Sequence, residues 1–459
     1  MVYTQDGAGG AGVLAGLGAV CAGVLGEHGC PSVSVAVAER GEVVLAEAYG
    51  FADVAARRVA SPQTAYALAS ISKPFTATAV CVAVDEGLIG LDEPVPVPVA
   101  GDSPWGEPTV RQLLRHRGGF GMHYDFHYGA DEPAVDAERY ARLRRAPGSG
   151  YEYANLGFRA LGRLLEKAGG QPLGSFVRER VFGPLGLRNC LLASAYPGPA
   201  PSAVRYTVDG RPYPRVMGTS HPGATLGWAP APELALFGQS YARLLKPATV
   251  AAMRDGVPIN AHLGYGLGWC VSYGGGPLMI SHGGGMGGVA AMLVTVPDRE
   301  LSVAVLTNST NKAARDAVVQ YVMSALVPDY RPELISPLTQ DAARPAELPP
   351  GVWSGRIVAP ERDIPTEVRV LPDGGVEVSV DGERVTGPAD ASAEWDLRAD
   401  LPLQLPTADA RLGGPRLGLA LRLDGAGREL TGVAYAYKNG DAEGLMGNFL
   451  SHSCELTRR

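Results

Sequence analysis

Ser70-Ile71-Ser72-Lys73-Pro74-Phe75-Thr76-Ala77-Thr78-Ala79-Val80-Cys81-Val82-Ala83-Val84-Asp85-Glu86-Gly87 is the stretch on which the reading of this chain turns. From Pro74 to Val84 it is small or apolar on nearly every face and stops at a glycine, which predicts a helix buried inside a domain over 74–86. Ser70 and Lys73 stand directly ahead of it, one turn apart and facing the same way. A helix N-terminus favours negative charge at Ser70. A lysine kept neutral by burial takes up a proton, so the pair reads as a nucleophile with its base. Only five of the 40 basic residues are lysine (Lys73, Lys167, Lys246, Lys312, Lys438); the others are arginine, which cannot lose its proton near neutral pH. Taken alone, the four residues also fit a capping serine beside a solvated lysine. The spacing recurs in Ser309-Thr310-Asn311-Lys312, which follows a strand pattern and reads as a surface connection.

Upstream, residues 13–28 read as a helix, followed by strands at Ser32–Glu39 and 42–49 joined at Arg40-Gly41. Downstream come short helices at 110–115, 157–168 and 172–181. Between them a long loop, 118–132, carries His123, Tyr124, Phe126, His127 and Tyr128. Strand patterns return at 264–272, Val289–Val296 and Leu301–Thr307. Strands bracketing a helical middle predict an α/β (α+β) domain over 1–330, an antiparallel sheet flanked by helices with a helical lobe inserted at about 75–250. Residues 331–350 are a Pro-rich linker. Beyond Gly351, alternation at 368–371, Val376–Val380, Leu417–Leu423 and 430–437, with Asp-Gly turns at 373, 381 and 424, predicts a small antiparallel β-barrel over 351–459.

Two more constellations supply groups such a pair would use. Tyr153-Ala154-Asn155 precedes an amphipathic stretch; a tyrosine hydroxyl near a lysine relays a proton to a leaving group, and an asparagine amide orients the partners. A tyrosine and cap at a helix start is the plain alternative. In Ile280-Ser281-His282-Gly283-Gly284-Gly285-Met286-Gly287-Gly288 the glycines let a substrate backbone approach, and His282 supplies a donor or a positive charge.

In chain order, Ser70-x-x-Lys73, Tyr153-x-Asn155 and His282-x-Gly284 resemble the serine β-lactamase/penicillin-binding-protein superfamily in its class C-like branch. The flanks agree: Leu68-Ala69 before and Pro74-Phe75-Thr76 after the first motif, Leu113-Leu114-Arg115-His116-Arg117-Gly118-Gly119, and Pro297-Asp298 with Val305-Leu306-Thr307-Asn308. The resemblance covers about residues 20–325 and implies a β-lactamase/transpeptidase-like fold. It also implies roles: Ser70 forms the acyl-enzyme, Lys73 is its base, Tyr153 shares protons with Lys73, and Asn155 positions substrate. His282 stands where many relatives carry lysine, and the N–H groups of Ser70 and Gly285 form the oxyanion hole beside Gly284. The usual Lys-Thr-Gly is His-Gly-Gly here, which weakens the expectation of an anchored substrate carboxylate. Gly351-Val352-Trp353-Ser354-Gly355 resembles the opening of lipocalin-like barrels attached to some esterases, D-aminopeptidases and peptide cyclases of this superfamily.

Other readings fall away. Gly283-x-Gly285-x-x-Gly288 matches a dinucleotide pattern, but a strand follows where a helix is required. His282-Gly283-Gly284-Gly285 mimics a lipase oxyanion motif, yet Gly238-Gln239-Ser240-Tyr241-Ala242 is only a near miss to G-x-S-x-G. His123 and His127 are four apart without the glutamate of a zinc helix, and aromatic residues lining a cleft explain that loop better; no metal or cofactor is expected. Six cysteines without a CxxC pair argue against zinc and disulfide frameworks. A net charge of −7 gives no field for nucleic acid, and the apolar run at 13–25 is too short for a membrane, so a cytoplasmic enzyme is expected. Three functions stay open. The first is acyl transfer from an ester, thioester or amide, on a small-molecule or peptidyl donor that a carrier protein could present, to an amine, as in peptide cyclisation by penicillin-binding-protein-type thioesterases. The second is plain hydrolysis as an esterase, D-amino-acid peptidase or weak β-lactamase. The third is a silent binding module. Tyr124, Phe126 and Tyr128 are candidates to cover the cleft over a bulky donor.

Overall fold

A computed structural model describes residues 14–97, 104–129, 135–273, 275–335, 343–392, 394–407, 416–436, 441–442 and 444–459. Its first sheet has nine antiparallel strands in the order Val257–Pro258, Leu263–Tyr265, Cys270–Ser272, Ile280–Met286, Val289–Val296, Leu301–Thr307, Ser32–Glu39, Glu42–Asp53 and Arg58–Val59. Both ends of this segment therefore meet in one sheet, as the bracketing pattern implied. Two-residue periodicity sorts the faces: Val33, Val35 and Val37 pack with the helices Leu17–His28 and Ala313–Leu326. Ala36 and Ala38 turn to the other side, where the helix Ala231–Ser240 comes close enough that a Cβ on Gly238 would strike Ser302 and Thr295. Gly238-Gln239-Ser240 is thus helix, not a nucleophile turn.

Behind that face lies the buried helix Ser72–Asp85, with every residue from Ser72 to Ala83 out of solvent and Gly87 at φ +76° beyond its end. The expected strand at 264–272 is two strands instead, Leu263–Tyr265 and Cys270–Ser272. Gly266 to Trp269 turns between them, and Gly268, at φ +80°, packs where a Cβ would hit Ala77 on the buried helix. The apolar run could not show this break, because Leu267 and Trp269 are buried as completely as strand residues.

The second sheet spans residues 344–458. Its strands run Arg344–Pro345, Ala389–Ala391, Leu397–Leu401, Leu417–Leu423, Glu429–Ala436, Phe449–Arg458, Gly351–Val358, Asp363–Val370, Val376–Val380 and Glu383–Gly387, antiparallel throughout. It curls into a half-barrel around Trp353, Ile357, Val368, Leu419 and Leu456. Asp381-Gly382 turns one hairpin with φ +50° and +92°, the backbone that Asp-Gly favours. Within the loop read at 118–132, His123–Tyr124 pairs with Leu450 and Phe449 of the last strand, and His127–Tyr128 pairs with Met217–Gly218. Positions 130–132 of that loop, part of the expected linker (336–342) and Tyr437 lie outside the described residues. No helix among the described residues is long and apolar enough to cross a membrane.

Candidate active site

Ser70 follows the strand Ala65–Ala69 on a tight turn. Ala69 takes φ +48°, left-handed backbone that a non-glycine residue adopts only when its surroundings enforce it. Ser72 does the enforcing: its hydroxyl donates to the Ala69 carbonyl at 2.6 Å and accepts the Gly227 N–H at 2.7 Å. The sequence reading missed Ser72 as a pin, because its partner lies 155 residues on.

Lys73 is fully buried, and its Nζ hydrogen-bonds Ser70 Oγ at 3.2 Å and the Ala224 carbonyl at 3.3 Å. Burial holds its pKa well below that of a free lysine. A carbonyl only accepts, so a neutral Lys73 spends an N–H on Ala224 and presents its lone pair to the Ser70 hydroxyl. Tyr153 lies with its ring 4.6 Å from Nζ. Burial drives its phenol pKa well above the usual value, partly offset by a hydrogen bond with Ser70. The serine therefore sits between an amine and a phenol whose charged forms are both disfavoured by burial, a setting suited to passing a proton.

His282 is the third member. Its Nδ1 donates to the Gly283 carbonyl at 2.8 Å, so Nε2 accepts from the Tyr265 hydroxyl at 2.9 Å. Desolvation pushes its pKa down to about 3, so it is a neutral ring at pH 7 rather than the positive charge offered as one expectation. His116, from segment 113–119, stacks 4.2 Å from Tyr153 with its Nδ1 accepting the Ala154 N–H at 3.1 Å, and it too is held neutral by burial. Neither His116 nor Tyr265 was singled out from sequence. Both act through ring contacts with residues distant in the chain.

Asn155 begins the helix Asn155–Gly169 and donates from Nδ2 to the His123 carbonyl at 2.8 Å; its buried Oδ1 has no hydrogen-bond partner. Gly284 lets the strand Ile280–Met286 approach, since a Cβ there would run into the Leu68 carbonyl. On its outer side this strand pairs with Cys270–Ser272 only as far as Ser281, leaving the edge beyond His282 without a strand partner among the described residues. Gly285 lies on that free stretch with the Lys312 side chain over it. Tyr124 is half-buried, whereas Phe126 and Tyr128 are buried. Phe126 packs near His221, and the Tyr128 hydroxyl donates to the Met446 carbonyl, so the C-terminal segment covers them.

A family model described as Beta-lactamase matches residues 15–326. The chain belongs to the beta-lactamase family. A D-aminopeptidase from Brucella ovis is 28% identical over 333 residues, 66% of this chain and 61% of the relative, so the chain spans about three fifths of that protein's length. Esterase EstB from Burkholderia gladioli is 36% identical over 201 residues, covering 39% of this chain and 50% of the esterase. Among solved structures, SurE superposes with a TM-score of 0.63 at 22% identity, covering 98% of this chain and 99% of SurE, a likeness of fold across both sheets.

Proposed function

We propose that this beta-lactamase-family protein is a serine acyl-transfer enzyme that opens an ester, thioester or amide through an acyl-enzyme on Ser70 and delivers the acyl group to an amine, including one on the same peptide. The observation that carries this reading is the fully buried Lys73, its pKa lowered by desolvation and its Nζ hydrogen-bonded to Ser70 Oγ. As Oγ attacks the carbonyl carbon, Lys73 takes its proton. The oxyanion draws on the N–H groups of Ser70 and Gly285, and Tyr153 passes a proton to the departing oxygen, sulfur or nitrogen. An incoming amine reverses the sequence: its nitrogen bonds the acyl carbon, the Tyr153 phenolate takes its proton, and Lys73 returns its proton to Ser70 Oγ as the acyl–oxygen bond breaks.

Transfer draws on the bracing of the 123–128 loop by the C-terminal segment, because a rigid wall beside Asn155 limits water at the ester while an amine binds. The second reading is hydrolysis of the same acyl-enzyme, favoured by the D-aminopeptidase and the esterase among the relatives. A peptidyl thioester carrying a free N-terminal amine separates the two: a cyclic or intermolecular amide in excess over free acid supports transfer, and free acid across a panel of amines identifies a hydrolase. Mass spectrometry after a fluorophosphonate probe tests the common step, and an unmodified Ser70 would leave only a binding role.

A further inference from the structure

Behind Asn155 and Lys73 lies a buried ionisable cluster that none of these steps uses. Asp125 has no solvent exposure. Its Oδ2 accepts the Ser220 N–H at 2.8 Å, and its Oδ1 accepts the Ser220 hydroxyl at 2.6 Å and His123 Nε2 at 3.1 Å. The Asp125 N–H donates to His221 Nε2 at 3.3 Å, and His221 Nδ1 meets the Thr225 hydroxyl at 2.7 Å. Burial by itself would raise the pKa of this carboxyl. Its hydrogen bond from His123, the neighbouring imidazoles and the Ser220 hydroxyl outweigh that and hold it well below the usual range.

We propose that Asp125 is a positioning residue for acylation, fixing Asn155 and Lys73 relative to each other through two backbone segments. One arm is His123, whose carbonyl accepts from Asn155 Nδ2. The other is Ser220, which leads into the short helix Pro222–Thr225. There the Ala224 carbonyl accepts from Lys73 Nζ, and the Gly223 carbonyl accepts from Thr76 on the buried helix at 2.7 Å. A buried carboxylate suits this role because it offers lone pairs to several donors at once, and leaving any of those donors unpaired out of water is costly. The same loop is braced from the C-terminal sheet, where Asn448 Oδ1 accepts the Phe126 N–H at 2.8 Å and Leu450 pairs with His123. The inference deepens the acyl-enzyme reading and rests on it.

The test uses the full-length chain with Asp125→Asn and Ser220→Ala. It follows the rate of Ser70 labelling by a fluorophosphonate and the turnover of p-nitrophenyl butyrate between pH 5 and 10. The titratable groups facing Lys73 are Tyr153, His116, His282 and His221, and those facing Asp125 are His123 and His221. Asp125→Asn removes the buried charge and swaps one acceptor oxygen for a donor, which the Ser220 N–H cannot receive and which the Ser220 hydroxyl receives only by turning its own proton away. The expected result is labelling slowed about 10- to 100-fold, the scale of a small displacement of catalytic groups. KM for the ester should stay within about twofold of wild type, the signature of a lost transition-state interaction. The released Ala224 turn admits water to Nζ, so the acidic limb of the rate profile should rise by about half a pH unit or more. Ser220→Ala should move the same limb with a smaller rate loss, and it decides the matter where Asp125→Asn fails to fold. Folded variants whose limb matches wild type, with rate falling only as the titre of folded sites falls, overturn the proposal. Wild-type protein that takes no label at Ser70 overturns the acyl-enzyme reading itself, a distinguishable failure.

Discussion

Ser70-Ile71-Ser72-Lys73 and Ser309-Thr310-Asn311-Lys312 share a spacing but not an environment. In the first, Lys73 is the second residue of a buried helix and its Nζ meets Ser70 Oγ. In the second, Ser309 is buried and its hydroxyl accepts the Asn311 N–H at 3.2 Å. Lys312 reaches the surface just ahead of the helix Ala313–Leu326 and leans over Gly285, and partial desolvation with the nearby Arg315 lowers its pKa less deeply than full burial lowers that of Lys73. The segment is therefore more than a surface connection. Thr310 accepts the Gly288 N–H at 2.7 Å and donates to the buried Asp441. Asp441 also receives the Tyr213 hydroxyl at 2.7 Å and the Val208 N–H at 3.0 Å. One copy of the motif buries its amine completely; the other ties the C-terminal segment to the turn after Gly285. Spacing brings a lysine near a serine, but it is the loss of water that lowers its pKa.

The same exchange made in both copies puts this contrast under the greatest strain. Lys73→Arg keeps a charge but cannot deprotonate, so Ser70 labelling should fall about 10²- to 10⁴-fold, as far as in Lys73→Ala. Lys312→Arg should label at close to the wild-type rate. Near-wild-type labelling in Lys73→Arg would show that charge, not basicity, is what the buried copy supplies. A middling effect is expected at Asp441→Ala, which strips the acceptor from Thr310, Tyr213 and Val208. It should cost about 1–3 kcal/mol in denaturant unfolding, typical of a lost buried acceptor. It should also slow bulky acyl donors more than p-nitrophenyl acetate; equal loss on both would leave the second copy a structural brace only.

The smallest effect concerns acid. His282 and His221 are both pushed down to about 3 by burial, against about 6.5 when unfolded. Between those values the unfolded chain binds more protons, so stability is lost as pH falls from 6.5 towards 3. His282→Gln keeps an acceptor for Tyr265 and removes one of these sites. Its melting temperature should therefore drop less steeply than wild type from pH 7 to 4; parallel curves would show that His282 is not buried neutral.

Patterns with a two-residue period proved the most legible part of the fold. Val376–Val380 stands where alternation and its flanking Asp-Gly turns put it, buried and part-exposed by turns, because the preference of each residue for one face of a strand is local. The break at 266–269 was not legible, since it answers to the buried helix that Gly268 packs against. Within the candidate site the proximity of Ser70 and Lys73 follows from spacing, whereas Tyr153, Asn155 and His282 were candidates by residue chemistry whose roles came from resemblance to a family. Ser72, His116 and Lys312 stood inside quoted motifs without a part of their own, and Asp125 and Tyr265 drew no role, because what each does depends on partners far apart in the chain.

Periodicity, turn chemistry and the register of one serine and one lysine at the head of an apolar helix were therefore written in the chain itself. Those depend on neighbours within a few residues. Only the folded chain decided that Lys73 is dry, that His282 is neutral and that the segment around Asp441 and Asn448 closes on the loop of Asp125. A pKa is set by how much water and charge surround a group, and here that surrounding is assembled from residues 116, 153, 158, 224 and 282, which no local pattern brings together.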